Sequence, residues 1–104
     1  MAEVKAARAD DVEPNSGTVA EAGGKTLALF NLGGTFYAVD NACTHVGCPL
    51  GEGTVEGTVV TCPCHGSMFD ITTGAVVGPP AQRPVAAYRA RVQGGDVLVE
   101  LPDA

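Results

Sequence analysis

The chain has 104 residues, with twelve Asp and Glu against six Lys and Arg and a formal net charge of −6. That length suits one domain, and the negative balance argues against nucleic acid, whose binding relies on cationic side chains to neutralise phosphates; a basic protein partner is the better match. Apolar runs such as LALF at 27–30 are too short to span a bilayer, and the opening MAEVKAARADDVEP is too polar for a signal peptide, so a cytoplasmic protein without a membrane anchor is expected.

Fourteen Gly and seven Pro beside five aromatic residues favour an all-β domain with many tight turns. The first few residues are expected to fray. Residues 18–22 and 25–31 flank Gly23-Gly24, and 25–31 and 35–39 flank Gly33-Gly34, so each pair predicts a hairpin. GTVEGTVVT at 53–61 predicts a smaller hairpin turning at Glu56-Gly57, and 68–71 a further strand before Thr72-Thr73-Gly74. Val-Gly-Pro-Pro at 77–80 is expected to be a stiff loop, because its prolines cannot join a ladder. Residues 88–92 and 96–100 around Gly94-Gly95 predict the last hairpin, and 102–104 a frayed end. No helix of convincing length is predicted.

Every Cys and His of the chain falls in two stretches: CTHVGCPL at 43–50 and CPCHGSMF at 62–69. Four Cys and two His in two loops are compatible with a bound metal, with two disulfides, or with an iron–sulfur site plus a disulfide. Structural zinc prefers Cys pairs two to four residues apart or His pairs three to five apart, and Cys43-Thr44-His45 leaves only one residue between ligands. A [2Fe–2S] centre with two Cys on one iron and two His on the other needs one Cys and one His from each loop. Cys43 and His45 would form the first pair, Cys62 and His65 the second.

Cys-x-His, sixteen residues, then Cys-x-x-His, standing here as CTHVGC and CPCHGS, resembles the Rieske [2Fe–2S] signature, and the length and hairpin rhythm resemble a Rieske ferredoxin. The resemblance implies an antiparallel Rieske-type β-sandwich, a single domain over 1–104, with a cluster-binding subdomain at about 41–80 inserted in a base formed by 1–40 and 81–104. It implies one [2Fe–2S] cluster as cofactor, held by Cys43, His45, Cys62 and His65, with the proline loop at 78–80 covering it. Cys48 and Cys64 match the cysteines that form a disulfide in the cytochrome bc-type members. Ser67 matches a serine that donates a hydrogen bond to a cluster sulfur in high-potential members. Phe69 stands where those members have a tyrosine, which implies a potential between the oxygenase ferredoxins and the bc proteins.

The implied role is a one-electron carrier passing electrons from a reductase to a ring-hydroxylating oxygenase, an electron-transfer component and not itself an enzyme, monomeric, and docking through an uncharged tip. Val46, Gly47, Pro49, Leu50, Gly66, Pro79 and Pro80 are the candidates for that tip, with Asp40, Glu52, Glu56 and Asp70 around it. The competing readings are a subunit fixed in a larger redox enzyme of arsenite-oxidase or nitrite-reductase type and, more remotely, a structural zinc module.

Overall fold

The computed structural model describes residues 2–42, 48–64, 66–78 and 83–101. Lys25–Leu32 (β3) lies at the heart of the fold, between Ser16–Ala22 (β2) and Thr35–Asp40 (β4), with the short Ala87–Tyr88 (β9) completing an antiparallel sheet in the order β2-β3-β4-β9. The glycine pairs make these hairpins. Gly23-Gly24 and Gly33-Gly34 all have positive φ, as the two-residue turns between right-twisted strands require. The expected registers follow, with Ala22 opposite Lys25 and Leu32 opposite Thr35.

Side chains of a strand alternate between its faces, and β3 is buried on both. Leu27 and Leu29 enter one core with Phe36, Ala38, Val97, Val99 and Leu101. Ala28 and Phe30 enter the other with Val39, Leu50, Val60, Phe69, Ile71 and Val85. This is why LALF reads as an unbroken apolar run, the mark of a strand covered on both sides. A second sheet, in the order β1-β11-β10, covers the first face; it consists of Ala2–Arg8 (β1), Asp96–Leu101 (β11) and Ala90–Gln93 (β10). A third sheet covers the other face, running Thr54–Glu56 (β5), Val59–Thr61 (β6), Met68–Asp70 (β7) and Val76–Gly78 (β8) in sequence order. The two 3-10 turns, Ala9–Asp11 and Leu50–Glu52, are the only helical pieces among the described residues.

Four expectations need correction. Residues 2–8 are strand and not a frayed end: β1 pairs with β11 from Ala2 opposite Leu101 to Arg8 opposite Asp96, with an irregularity between Lys5 and Ala7. The run 88–92 is two strands in two sheets, because the chain steps across at Arg89, whose carbonyl accepts from Glu100 N at 2.9 Å. The small hairpin turns at Gly57-Thr58, one residue later than expected, since Glu56 pairs with Val59. Val76–Gly78 is strand β8 and not loop: Gly78 pairs with Met68 and Val76 with Phe69, and Val77 is the extra residue at the irregularity between those pairs; a proline removes only its own N–H, so the residues before Pro79 keep theirs. Pro79, Pro80 and 102–104 lie outside the described residues.

Candidate metal centre

The described residues on either side of the first cysteine-and-histidine stretch are held to one another. Ala42 and Pro49 form an antiparallel bridge, Leu50 N donates to Asn41 O at 2.8 Å, and Gly51 N donates to Asn41 Oδ1 at 2.9 Å. Asn41 thus takes both backbone donors at the far side of the stretch. The 3-10 turn that follows rests on β2 so tightly that a Cβ on Gly51 would meet Thr18 C and O at 2.7 Å and Val19 Cγ2 at 2.8 Å. At the near side, Asp40 N donates to Ala86 O at 2.9 Å and Tyr88 Oη donates to Asp40 Oδ1 at 2.7 Å, so β9 holds the strand end from which the loop departs. Burial first, and the Asp40 carboxylate second, push the Tyr88 hydroxyl above its usual titration range.

The second stretch joins β6 to β7. Cys62 N donates to Ser67 O at 2.7 Å and Gly66 N to Cys62 O at 3.3 Å, closing the loop at its base. The tight turn after β7 is capped by Asp70, whose Oδ1 accepts from Thr72 N at 2.8 Å and Thr72 Oγ1 at 2.6 Å. The Thr72 hydroxyl, then its amide, hold the Asp70 carboxyl below the ordinary aspartate range.

A Cys48–Cys64 disulfide, with Cα atoms 6.3 Å apart, ties the two loops together as the resemblance implied. Cys62 keeps a thiol, is 2% exposed, and belongs to the core that includes Phe69 and Val60. Its sulfur lies within 4.8 Å of both disulfide sulfurs. Two of those three sulfurs are consumed by the bridge, so the group offers one thiol and is no three-thiolate site. That thiol suits an iron–sulfur centre: it is a soft donor, withdrawn from water, at the foot of one loop and beside the tie to the other. Ser67 is fully buried and Phe69 is fully buried in the same core as Cys62. Cys43, His45 and His65 lie outside the described residues.

The expected tip needs one correction. Leu50 has no exposed surface and is a core residue beneath the loops, because the Asn41 clamp turns it inward. Among the described residues, apolar side chains that face solvent beside the loops are Met68, 37% exposed, and Val77, 53% exposed, on the paired strands β7 and β8. Asn41 and Tyr88 were missed as site-building residues; an Asn two residues before the first box, a ready backbone clamp, was the available signal. A cleft of about 520 Å³, lined by Tyr37, Tyr88, Arg89 and Arg91 among others, contains none of the candidate site residues.

The Rieske [2Fe-2S] domain family matches residues 2–89. The 3-phenylpropionate/cinnamic acid dioxygenase ferredoxin subunit of Escherichia coli (strain K12) is 40% identical over 79 residues, 75% of this chain and 74% of that protein. The ferredoxin of carbazole 1,9a-dioxygenase from Nocardioides aromaticivorans IC177 superposes with a TM-score of 0.89 at 31% identity, over 95% of this chain and 97% of its own. A ferredoxin in a complex of reduced oxygenase and oxidized ferredoxin in carbazole 1,9a-dioxygenase matches with a TM-score of 0.84 at 34% identity, over 93% and 91%. No helix among the described residues is long and apolar enough to cross a membrane. The held ends of the first stretch, the closed second loop, their bridge, the buried thiol and these likenesses converge: the chain belongs to the Rieske [2Fe-2S] domain family, and its cofactor is one Rieske-type [2Fe–2S] cluster.

Proposed function

We propose that this protein is a one-electron carrier that accepts electrons from a reductase and delivers them to a ring-hydroxylating oxygenase, working as a monomer in the cytoplasm and catalysing no bond chemistry of its own. Cys43 and Cys62 hold one iron and His45 and His65 the other, within a cluster-binding unit of about 41–80 on a single domain. The observation that carries the reading is the buried Cys62 thiol at the closed foot of one loop, beside the disulfide to the other. Relatives named as dioxygenase ferredoxin subunits support the direction of transfer.

When bound, such a cluster takes up and releases one electron, and two neutral imidazoles in place of two thiolates raise its potential to roughly −150 to +300 mV. The protein's own part is to hold the ligands still. The Asn41 clamp, the Cys62–Ser67 backbone bond and the bridge fix both loops to the core, so little need move when the charge changes. Ser67, which has no exposed surface, serves as a hydroxyl donor that favours the reduced state, and Phe69 leaves the tyrosine's second donor out. Docking uses the uncharged loop tip, Pro49 and Gly66 among its described residues, extended by Met68 and Val77. Exposed Glu52 and Glu56 flank it, and small contacts with steering charge suit brief encounters.

Electron paramagnetic resonance of the reduced protein tests the ligand set, and mixing reduced protein with an aromatic-ring oxygenase tests the role. A low average g-value and rapid reoxidation by the oxygenase are expected. A four-Cys spectrum, or zinc in place of iron, overturns the ligand set; reduced protein that no oxygenase reoxidises overturns the role.

A further inference from the structure

Where the chain steps at Arg89 from the central sheet to the second sheet, a gap is left beside β4. Strand β9 reaches only Ala38 and Val39, so Thr35, Phe36 and Tyr37 have no strand opposite them on that side among the described residues, and they line a cleft of about 520 Å³. The second sheet contributes Glu3, Arg91 and Glu100, and Thr72 of the turn after β7 lines it too. Arg89 itself lines the cleft without a side-chain hydrogen bond or ion pair among the described residues. In a chain with six Lys and Arg against twelve Asp and Glu, an unanswered guanidinium is unexpected. We propose that this cleft binds a small aryl monocarboxylate, with its carboxylate on Arg89 and its ring against Tyr37.

The other charges of the cleft set the charge of its ligand. Arg91 is spent: its Nε and Nη2 donate to the two Glu3 oxygens at 2.6 and 2.7 Å, and the Glu100 carboxylate acts on it as well. Arg89 keeps its planar fork of donors, which matches one carboxylate bidentately. A second negative charge on the ligand would meet Glu3 and Glu100 in a protein of net charge −6, which works against acidic peptides and polyphosphates. The body of the ligand follows from the rings. Tyr88 is engaged, with its hydroxyl on Asp40 and its ring under Lys25 Nζ at 5.7 Å. Tyr37 is half-buried and its hydroxyl has no partner among the described residues, so it offers a ring face to a planar body and a further donor beside it. Ala87 and Ala90, with nothing beyond Cβ, leave the room. The volume falls within the roughly 300–1,000 Å³ of small-molecule sites, which join an apolar body to a few polar groups.

Oxidised holoprotein is titrated into para-fluorobenzoate and the fluorine resonance is followed, with para-fluorobenzyl alcohol as an uncharged probe of the same ring. Saturable broadening of the para-fluorobenzoate signal is expected. Binding should be at least about tenfold weaker for the alcohol, and for para-fluorobenzoate with Arg89→Gln protein, the loss implied by a missing hydrogen bond to a charged group. Arg89→Gln should fold as the wild type does, because Arg89 is exposed and its carbonyl, which accepts from Glu100 N, is unaltered. Arg89→Lys, which keeps the charge and loses the fork, should fall between the two. The absence of saturable broadening in the wild type overturns the inference, as does equal binding of the alcohol. An affinity unchanged in Arg89→Gln overturns it too, by placing the ligand elsewhere.

Discussion

Ser67 has no exposed surface, although serine is ordinarily a surface residue. Its carbonyl already closes the loop onto Cys62 N, so its backbone is held at the foot of the loop. A hydroxyl donor stabilises an added negative charge, and a hydrogen bond to a charged group is worth about 1.5 to 3 kcal/mol. Taking half of that as the difference between oxidation states, Ser67→Ala should lower the potential by roughly 30 to 65 mV, read by redox titration followed in visible circular dichroism. An unchanged potential would reduce Ser67 to a loop residue. The two cysteine-and-histidine boxes were legible because soft donors are scarce and their spacing is discriminating. Asn41 was not, because its role depends on the backbone of Leu50 and Gly51 returning to it, a contact made only in the folded chain. Leu50 was misplaced for the same reason: beside the box in sequence, it is turned under it in space.

At the scale of elements, the hairpins on glycine pairs were legible, since positive φ at both turn residues leaves few other residues able to serve. The step at Arg89 was not. Tyr88 and Val92 read as one alternating run, yet Tyr88 pairs with Ala38 in the central sheet and Val92 with Val97 in another, a choice that depends on which partners are within reach. Strand β1 escaped notice because alanines, weak strand formers, dilute its pattern. The close seat of the Leu50–Glu52 turn on β2 makes a prediction: Gly51→Ala should cost about 1–3 kcal/mol in chemical denaturation, as overpacking does, because the nearest atoms are backbone and cannot swing away. The bridge makes another. Cys48→Ser or Cys64→Ser frees a loop closed by a sequence separation of 16, worth about 3 kcal/mol by chain entropy; cluster loading should survive and the melting temperature should fall. Asp70 supplies a pH signature. Its folded pKa is depressed by Thr72, so its contribution is present above the unfolded value, ~3.9, and is lost as pH falls through the folded value. Asp70→Asn should remove that part of the acid dependence of denaturation.

For the molecule as a whole, one strand joins two cores. Because β3 contributes to both, the three sheets cannot melt independently, and a single cooperative transition is expected. The bond between β1 and β11 bears on how the protein is born. Ala2 faces Leu101 and Arg8 faces Asp96, so β1 waits for β11, which is synthesised after it. At bacterial and eukaryotic rates of synthesis, spanning about 5 to 20 residues per second, that wait lasts roughly 5 to 20 s, during which β1 is an open edge. The β5–β8 ladder, by contrast, is a run of neighbouring hairpins that can close while the chain is still attached to the ribosome. A released chain ending at Gln93 should therefore protect residues 54–78 from protease and leave 2–8 open to cleavage, and protection of 2–8 in that chain would show another partner for β1. On the ribosome, the metal-handling half of this protein comes into being before its foundation does.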